Sequence, residues 1–297
     1  MQKRFYLVLV LICISTTLFA GVSKKEREIL IDFYKSTQGE NWMINWDFSK
    51  PVSTWHGIEV KNGKVVSLSL FNNNLGGTLP FSLGKLRHLE VLNLAFNHIG
   101  GTIPENIVRL KELKVLRLGK NHFTGTIPEA IGNLSNLEVL DMFDNMLSGE
   151  IPKGLGELKK VKWLYLSNNE FRGSLPGELG NMESLERLEL SGNHIKGGIP
   201  EDMAKLKNLN TLVLSENEFT GKLPKGILSL PQLAQLQLQH NFLDTFDLGD
   251  IHTMSEHLAL FDFDGNGQDY KKRDFKRFSL NMEEIRTADT KFEDMDD

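Results

Sequence analysis

Cysteine is almost missing from this chain of 297 residues, which contains only Cys13. A disulfide needs two cysteines, so packing and hydrogen bonding alone have to hold the fold together. Because Cys13 falls in an N-terminal segment that we expect to be removed, thiol catalysis is also excluded for the mature protein.

Positive charge is not in excess either. The chain has 34 lysines and arginines against 39 aspartates and glutamates, which gives a net charge of −5 and an isoelectric point near 5.9. Binding to the phosphate backbone of a nucleic acid needs a basic surface. We therefore expect no nucleic-acid partner.

Long hydrophobic runs are also missing, with one short exception at the N-terminus. Lys3 and Arg4 precede an apolar run over 5–14, and further residues lead to Ala20 and Gly21. A membrane span needs about 20 apolar residues, so this run is short for one. The pattern is typical of a secretory signal peptide over residues 1–20, cut after Ala20, with a retained anchor as the alternative. We expect export, to the medium or the cell envelope, and no membrane span after cleavage.

What the chain does contain is a repeat, because three residue types recur in phase at a step of 24 residues. The asparagines are Asn73, Asn97, Asn121, Asn145, Asn169, Asn193, Asn217 and Asn241; the glycines are Gly77, Gly101, Gly125, Gly149, Gly173, Gly197 and Gly221; the prolines are Pro80, Pro104, Pro128, Pro152, Pro176, Pro200 and Pro224. A fixed period of this length is the signature of a solenoid, in which each unit packs only on its neighbours.

Each unit has the form Leu-x-x-Leu-x-Leu-x-x-Asn-x-Leu-x-Gly-x-Ile-Pro. Leu116 and Leu118 alternate with Arg117, which predicts a short strand with one buried face. Stacked units place these strands in one parallel sheet, about 4.8 Å apart. The asparagine amide can satisfy backbone groups where the chain turns out of the strand, and the proline cannot prolong a strand. These residues build the scaffold.

The repeat resembles the plant-type leucine-rich repeat, the Leu-x-Gly-x-Ile-Pro class of plant receptor ectodomains and of related secreted proteins of bacteria and protists. The match covers residues 65–247. The resemblance implies an α/β solenoid, a right-handed arc with a concave parallel β-sheet and about eight repeats. Members of this class mostly bind proteins, peptides or glycans, and the resemblance implies such a partner here.

Residues 21–64 are predicted to form an N-terminal cap. Ser23 and Glu26 have the spacing of a capping box, and an apolar face follows, so we expect a helix over 23–36. Three tryptophans come next, Trp42, Trp46 and Trp55. We interpret them as the core of the cap, with a sugar-binding platform as the alternative.

The stretch around these tryptophans resembles the N-terminal cap of plant-type repeats, in which two cysteines normally flank a Trp-x-Gly-Val motif. Ser53 and Val60 stand at the cysteine positions in this chain. The cap disulfide of the family is therefore excluded, and tryptophan packing has to replace it.

The repeat pattern ends at the eighth unit, where Thr245, Asp247 and Leu248 occupy the glycine, isoleucine and proline positions. We predict an irregular C-terminal cap and an acidic, partly disordered tail over 248–297. The apolar stretch 251–263 is expected to cover the last strand. Residues 244–297 carry 15 acidic and 7 basic side chains, so the acidity of the protein is concentrated there.

One stretch near the C-terminus resembles a calcium-binding loop. Asp262, Asp264 and Asn266 are placed as in the first half of an EF-hand loop, which makes them a candidate calcium site. The second half departs from the loop, because Asp269 stands where an apolar residue is usual and Arg273 replaces the bidentate glutamate. An ordinary turn is therefore the alternative interpretation.

Histidines follow three of the repeat asparagines, and His98 and His122 stand in adjacent repeats. We expect these two imidazoles to stack about 5 Å apart. A metal site built on the pair would lack a third ligand, so exposed loop histidines are the favoured interpretation. No cofactor is expected apart from the candidate calcium ion.

The open face of the sheet is where binding residues are expected, because packing places no demand on its side chains. An aromatic tract is predicted across the first five strands, interleaved with charged side chains. Its members are Phe71, Phe96, Arg117, Lys120, Asp141, Phe143, Trp163, Tyr165 and Arg187. Interfaces favour such a mixture of aromatic anchors and arginine. Lateral packing of aromatic neighbours along the sheet is the alternative explanation.

The sequence offers no Ser–His–Asp arrangement, no phosphate loop and no paired carboxylates in a pocket, so an enzyme is not expected. The leading hypothesis is an exported recognition module whose concave face binds a protein, peptide or glycan. The alternatives are a structural or adhesive component of the cell envelope and, by analogy alone, an inhibitor of a foreign hydrolase.

Overall fold

The computed structural model describes residues 21–244 and 257–263. The predicted signal peptide over 1–20 lies outside this part of the chain, as do residues 245–256 and 264–297. Most of the predicted C-terminal cap and tail therefore lies outside it as well. None of the helices in the described ranges is both long and apolar enough to cross a membrane.

The described chain forms a right-handed α/β arc built from two sheets and a row of short helices. In chain order, its strands are β1 (Ile58–Lys61), β2 (Lys64–Ser69), β3 (Val91–Asn93), β4 (Gly100–Thr102), β5 (Val115–Arg117), β6 (His122–Gly125), β7 (Val139–Asp141), β8 (Met146–Gly149), β9 (Trp163–Tyr165), β10 (Glu170–Ser174), β11 (Arg187–Glu189), β12 (His194–Gly197), β13 (Thr211–Val213), β14 (Glu218–Gly221), β15 (Gln235–Gln237), β16 (Phe242–Leu243) and β17 (Leu260–Asp262).

The helices are mostly single turns of 3₁₀ type. Two are α-helical, α1 (Lys24–Ser36) in the cap and α2 (Lys225–Leu228) in the seventh repeat. The 3₁₀ helices span Gly39–Asn41, Val52–Thr54, Phe81–Lys85, Glu105–Arg109, Glu129–Asn133, Lys153–Glu157, Gly177–Asn181 and Glu201–Lys205. A repeat proline precedes each of the last six and sets the backbone angle from which the turn starts.

The concave sheet contains the leucine strands, in the order β1-β2-β3-β5-β7-β9-β11-β13-β15-β17. All its pairs are parallel except the hairpin of β1 and β2. The register is in phase with the repeat, since Leu92 lies beside Leu116 and Leu116 beside Leu140. The predicted concave parallel sheet is confirmed.

The C-terminal stretch lengthens this sheet by one strand. Leu260–Asp262 pairs in parallel with Gln235–Gln237, and Phe261 and Phe263 pack against the core. The expectation that residues 251–263 cover the last strand is therefore met in part by backbone pairing, which satisfies the hydrogen-bonding groups of an otherwise open edge.

A second parallel sheet, which the sequence analysis did not predict, runs along the other side of each turn. Its order is β16-β14-β12-β10-β8-β6-β4. The repeat glycine lies within or at the end of six of these strands, all except β16, and has a positive φ, for example 76° at Gly125 and 82° at Gly149. Other residues adopt that conformation at a cost, which explains why glycine recurs there.

The core between the sheets is a continuous stack of leucine, isoleucine, valine, methionine and phenylalanine side chains. The two leucines of each concave strand, such as Leu116 and Leu118, are fully buried. Phe123, Phe171 and Phe219 are also fully buried and replace the aliphatic residue of other repeats at that position. Burial of a large apolar side chain stabilises the fold by about 1.5–3 kcal/mol.

A ladder of buried asparagines ties each repeat to the one before it. The Asn145 Nδ2 group donates to the carbonyl oxygens of Leu118, Met142 and Phe143 at 3.1, 3.2 and 3.1 Å, and its Oδ1 atom accepts from the Phe123 N–H at 2.9 Å. Asn121 makes the same set of bonds one repeat earlier. The predicted role of the asparagine, to satisfy backbone groups where the strand bends, is confirmed.

The N-terminal cap is held by its tryptophans. Trp42, Trp46 and Trp55 are 4%, 5% and 3% exposed, and the rings of Trp46 and Trp55 stack with centroids 4.9 Å apart. Each indole N–H donates to a backbone carbonyl, at 3.0, 2.8 and 3.0 Å respectively. These residues are core, as predicted, and the burial leaves no room for a sugar-binding platform.

Helix α1 begins where the capping signal placed it. Ser23 is the N-cap residue, and its hydroxyl accepts a hydrogen bond from the Glu26 N–H at 3.2 Å. The buried face of the helix, which includes Ile29, Leu30 and Phe33, covers the first repeats. The end of the core is thereby closed without a disulfide.

Candidate functional site

The pleat of the concave sheet places the predicted binding residues in one surface. Residues between the buried leucines project to the concave side, so each lies beside its equivalent in the next repeat. Arg117 lies beside Asp141, Asp141 beside Tyr165, and Tyr165 beside Glu189. Trp163 lies in register beside Arg187. The structure thus brings the sequence-predicted residues of β5 to β11 together.

Three phenylalanines form a contact series at the carboxyl ends of the early strands, and we call them the phenylalanine cluster: Phe71, Phe96 and Phe143. The ring centroids of Phe71 and Phe96 are 5.0 Å apart, and those of Phe96 and Phe143 are 5.9 Å apart. The Lys120 ammonium lies 5.1 Å from the centre of the Phe96 ring, within range of a cation–π interaction. Aromatic and basic side chains are therefore adjacent here.

Phe96 and Lys120 share an unusual backbone conformation. Their φ angles are 60° and 54°, in the left-handed region, and each residue directly precedes a ladder asparagine. Asp144 occupies the same position in the next repeat, with φ of 53°. The same conformation recurs before every other ladder asparagine, at Asn72, Asn168, Gly192, Glu216 and His240, so the scaffold imposes it, and a bulky side chain there costs roughly 1–3 kcal/mol. Because a phenylalanine is kept here in spite of that cost, Phe96 is the member of the phenylalanine cluster for which a role in ligand binding is best supported.

Phe143 is a packing residue more than an exposed anchor. Only 6% of its surface is exposed, and its ring lies against Gly119 of the preceding repeat. Phe71, by contrast, is 41% exposed. Lateral packing along the sheet, the alternative explanation for the aromatic tract, thus describes Phe143, while Phe71 presents its ring to solvent.

The charged residues of the central strands are only partly accessible. Asp141 and Glu189 are 8% and 5% exposed. The Asp141 Oδ1 atom accepts a hydrogen bond from the Phe143 N–H at 3.2 Å, and the Arg187 Nη1 atom lies 3.3 Å from the Glu189 Oε1 atom. Burial strengthens both interactions because water screens them less than at an open surface.

A strip of serines, which we did not single out in the sequence, follows the second leucine of the later strands. Ser167, Ser191 and Ser215 are all buried, and the Ser191 hydroxyl donates to the Ser167 hydroxyl at 3.1 Å. Because serine side chains are short, the surface of the sheet lies lower along these three residues than at the larger side chains on either side. We call these residues the serine strip. The 24-residue spacing of the three serines is the signal that would have revealed it.

An open groove of about 610 Å³ lies at the edge of the concave sheet, next to the phenylalanine cluster. Its lining includes Met43, Phe96, His98, Lys120, His122 and Met146. The rings of His98 and His122 stack there with centroids 5.7 Å apart, close to the expected spacing. The groove adds Met43 and Met146 to the residues that the sequence indicated.

The structure tests the candidate metal ligands only in part. Asp262 lies in β17, where its carbonyl oxygen accepts the Leu238 N–H at 2.8 Å, whereas Asp264 and Asn266 lie outside the described residues. Within 21–244 and 257–263, no three histidine, cysteine, aspartate or glutamate residues are grouped so as to hold a metal ion. The calcium site remains a prediction.

Charges of alternating sign precede the concave strands. The Lys114 ammonium donates to the Glu90 Oε2 atom at 2.6 Å. This hydrogen bond lowers the pKa of Glu90 and raises the pKa of Lys114, and the nearby carboxylates Glu138 and Glu112 raise the pKa of Lys114 further. The pair links the second repeat to the third at the edge opposite the phenylalanine cluster.

Comparison with family models agrees with this architecture. A leucine-rich repeat region matches residues 66–167, and two further leucine-rich repeat models match 149–195 and 208–230. The chain is therefore a leucine-rich-repeat protein, and its repeats are of the plant type.

Solved structures with similar folds include plant receptor ectodomains and a bacterial protein. The ectodomain of the Arabidopsis thaliana receptor kinase GASSHO1/SCHENGEN3, in complex with CASPARIAN STRIP INTEGRITY FACTOR 2, is 29% identical over 78% of this chain and 31% of its own, with a TM-score of 0.69. The Arabidopsis receptor kinase HAESA, in complex with the peptide hormone IDA and the co-receptor SERK1, is 35% identical over 67% of this chain and 34% of its own, with a TM-score of 0.59.

The bacterial match is a leucine-rich-repeat protein of Leptospira interrogans. It is 37% identical over 65% of this chain and 47% of its own, with a TM-score of 0.57. The chain spans only about a third of the length of the plant receptor chains, 31% and 34% in the two cases above. What those receptors bind therefore enters below as a proposal.

Proposed function

We propose that this chain is an exported, non-enzymatic recognition protein that binds a peptide, or an extended segment of a protein, on its concave face. The observation that carries the proposal is the continuous concave surface in which the phenylalanine cluster, Lys120, Trp163 and Tyr165 lie along neighbouring strands. Aromatic anchors beside cationic side chains are the composition that protein interfaces favour.

The similarity to peptide-binding receptors supports this choice of ligand. HAESA was solved with a peptide hormone, and its repeats align with two thirds of this chain, 67% of its length. A concave row of short parallel strands presents successive side chains about 4.8 Å apart, which suits an extended ligand that crosses several repeats. A peptide is therefore favoured over a glycan.

The proposed binding residues differ in their roles. Phe71, Phe96 and Lys120 form the edge nearest the groove, and the half-buried Trp163 and Tyr165 provide the central anchors. Arg117 and Arg187 supply positive charge between them, whereas Asp141 and Phe143 are buried and support the surface from below. Export, by the predicted signal peptide, would place this face outside the cytoplasm, in the medium or the cell envelope.

Selection of peptides from a random displayed library on the full chain tests the proposal. We expect selected peptides to bind the wild-type protein and to lose at least about tenfold in affinity when Trp163→Ala and Tyr165→Ala are combined, because central aromatic anchors dominate such interfaces. Isothermal titration with each selected peptide measures the affinity.

Phe81→Ala is the matched control, since Phe81 is also aromatic, is 60% exposed and lies on a 3₁₀ helix away from the concave sheet. Thermal melting checks that all variants remain folded. Equal binding by the double variant and the wild type would reject the assignment of the site. Enrichment of glycans on an array, with no peptide selected, would reject the ligand class.

A further inference from the structure

We infer that the open groove beside the phenylalanine cluster binds one soft metal ion, Cu(I), through the side chains of His98, His122, Met146 and Met43. The inference goes beyond the proposed function and does not rest on it, because no peptide takes part in the contact. It is supported by the position of these side chains in the fold, by the spacing of the two imidazole rings and by the chemistry of the donor atoms.

Three of the four side chains stand in one row along the second sheet, which we call the histidine–methionine row: His98, His122 and Met146. Each directly follows a ladder asparagine, and the three are equivalent residues of successive repeats. His122 and Met146 begin the neighbouring strands β6 and β8, and His98 lies two residues before β4. Neighbouring strands are about 4.8 Å apart, so the repeat places three exposed metal-ligating side chains side by side.

The N-terminal cap supplies the fourth donor. The Met43 N–H donates to the carbonyl oxygen of Asn73 at 3.0 Å, which places Met43 beside the first ladder asparagine, at the end of the row nearest His98. Met43 and Met146 are 62% and 42% exposed, and both line the groove together with the two histidines. Two accessible thioether groups therefore flank two accessible imidazoles.

The two imidazole rings are close enough to share one ion. A ligating imidazole nitrogen lies about 2 Å from a metal and about 1 Å from the centre of its own ring, so two rings that share an ion have centres at most about 6 Å apart. The ring centroids of His98 and His122 are 5.7 Å apart. Both side chains are exposed, so rotation about their side-chain bonds can turn one nitrogen of each ring toward a common ion.

The backbone holds both histidines in place without a metal. The His98 N–H donates to the carbonyl oxygen of Leu75 at 2.7 Å, and the His122 N–H donates to that of Ile99 at 2.9 Å. The residue before each histidine is a buried ladder asparagine. Little chain ordering therefore opposes binding, which raises the affinity of a site relative to one on a mobile loop.

The donor set selects the kind of metal. Within the ranges 21–244 and 257–263, no third imidazole, thiol or carboxylate joins the histidine pair to make a site for a harder ion. The donors that do lie beside the pair are thioethers, which are soft and favour Cu(I), and imidazole is also a good copper ligand. A methionine side chain has three rotatable bonds, so its sulfur can adapt to the ion.

The charges in the groove do not oppose a cation. Lys120 and Asp144 both line it, so one positive and one negative charge are present. The Lys120 ammonium lies 5.1 Å from the centre of the Phe96 ring, where a cation–π interaction holds it. Histidine binds a metal in its neutral form, and a thioether carries no charge. The ion therefore enters a groove with a formal charge near zero.

His194 provides a contrast within the same molecule. It follows a ladder asparagine as His98 and His122 do, but its equivalents in the adjacent repeats are Glu170 and Glu218. The His194 Nδ1 atom lies 3.5 Å from the Glu218 Oε1 atom. This histidine has carboxylates beside it where His122 has a second imidazole and a thioether, which makes it the matched control.

Competition for Cu(I) with the chromogenic chelator bicinchoninate, under ascorbate and without oxygen, tests the inference on the full chain. Every sample carries Cys13→Ser, since a thiol binds Cu(I) by itself. We expect one Cu(I) ion per chain to be retained against the chelator. Loss of a group that only orients a ligand already weakens metal binding 10–100-fold, so His98→Asn and His122→Asn combined should weaken it at least about a hundredfold.

Asparagine is chosen for these variants because Asn74 occupies the same position in the first repeat, so the scaffold accepts it. His194→Asn should leave the affinity for Cu(I) unchanged. Thermal melting without metal checks that all variants are folded. Equal affinity of the double histidine variant and the wild type would overturn the inference, as would an equal loss in His194→Asn.

The methionines test the type of donor. Met43→Leu and Met146→Leu combined keep the size of the side chains and remove the sulfurs, so Cu(I) binding should weaken by about tenfold or more. X-ray absorption at the copper edge should show sulfur and nitrogen neighbours in the wild type and nitrogen alone in this variant. A wild-type spectrum without sulfur, or tighter binding of Zn(II) than of Cu(I), would reject the soft-metal site. No peptide is present in these measurements, so their outcome is independent of the peptide selections.

Discussion

The ring of Phe143 lies directly against the backbone of Gly119, one repeat away. A Cβ atom added to Gly119 would come within 2.4 Å of the Phe143 Cδ1 atom and 2.6 Å of Cε1. Gly119 therefore provides the space that lets Phe143 turn along the sheet and reach Phe96, 5.9 Å away between ring centroids. A small residue in one repeat thus sets the position of an aromatic ring in the next.

Gly119→Ala should displace the Phe143 ring and destabilise the protein by about 1–3 kcal/mol, the usual cost of overpacking. The φ angle of Gly119 is not positive, so the added methyl group introduces no backbone strain, and its effect comes from the clash with the Phe143 ring and with the Asp141 Oδ1 atom, 2.7 Å from the added Cβ. Urea denaturation measures the change in the free energy of unfolding.

Two further variants isolate the cause. In a Phe143→Ala background, Gly119→Ala should cost less, because the ring that the added methyl group meets is gone and only the contact with the Asp141 Oδ1 atom, at 2.7 Å, remains. Gly100→Ala is the matched control, since the nearest atom to its added Cβ would be 3.6 Å away, an ordinary contact. If Gly119→Ala costs the same with and without the Phe143 ring, the packing relationship is not the source of the effect.

Phe96→Asn should change the stability of the protein by less than about 1 kcal/mol, although it removes a large aromatic ring. Asparagine tolerates the left-handed conformation that Phe96 adopts at φ of 60°, and the relief of strain offsets the lost contacts with Phe71 and Phe143. Thermal and urea unfolding measure the difference.

Phe123→Ala, three residues after Lys120, provides the contrast. The ring of Phe123 is fully buried in the core, so its removal should lower the free energy of unfolding by about 3–5 kcal/mol. A loss of more than about 2 kcal/mol for Phe96→Asn would show that Phe96 is held by packing and not retained at a cost. The proposal that its ring serves ligand binding would then lose its main structural support.

The sequence predicted the scaffold well because each scaffold residue repeats a local physical demand. Asn145 has to satisfy backbone groups at a bend, and Leu116 has to fill a layer of the core, so both recur every 24 residues. The burial of Trp46 and Trp55 could be predicted for a similar reason, since dense aromatic residues need a core when no disulfide is present.

The second sheet and the details of the binding surface were harder to predict. Strands of two to five residues, such as β16 and β10, show too little alternation for a period to be recognised. The burial of Phe143 depends on Gly119, and the open face of a sheet carries no periodic signal that links those two residues. Contacts between repeats that involve non-repeating residues therefore cannot be predicted from the repeat pattern and are seen only in the structure.

The ion pair between Glu90 and Lys114 predicts how stability responds to pH. Because Lys114 lowers the pKa of Glu90 in the folded state, the contribution of the pair is fully present above the pKa of an unfolded glutamate, near 4.3, and is lost as the pH falls through the lowered folded value. Lys114, whose pKa is raised, has the opposite pH dependence. Its contribution to stability is fully present below the pKa of an unfolded lysine, about 10.4, and is lost as the pH rises through the folded value.

Lys114→Met should therefore raise the pKa of Glu90, followed by NMR of its side-chain carboxyl carbon, and cost about 0.2–1 kcal/mol at neutral pH, as exposed pairs do. The difference in unfolding free energy between variant and wild type should disappear near pH 2, where Glu90 is protonated in both states.

Lys160→Met is the control, because the Lys160 ammonium donates to the neutral amide of Asn136 at 2.8 Å. Its effect should not follow the titration of Glu90. A Lys114→Met penalty that persists unchanged at low pH would mean that Lys114 stabilises the repeat through the packing of its aliphatic stem and not through charge.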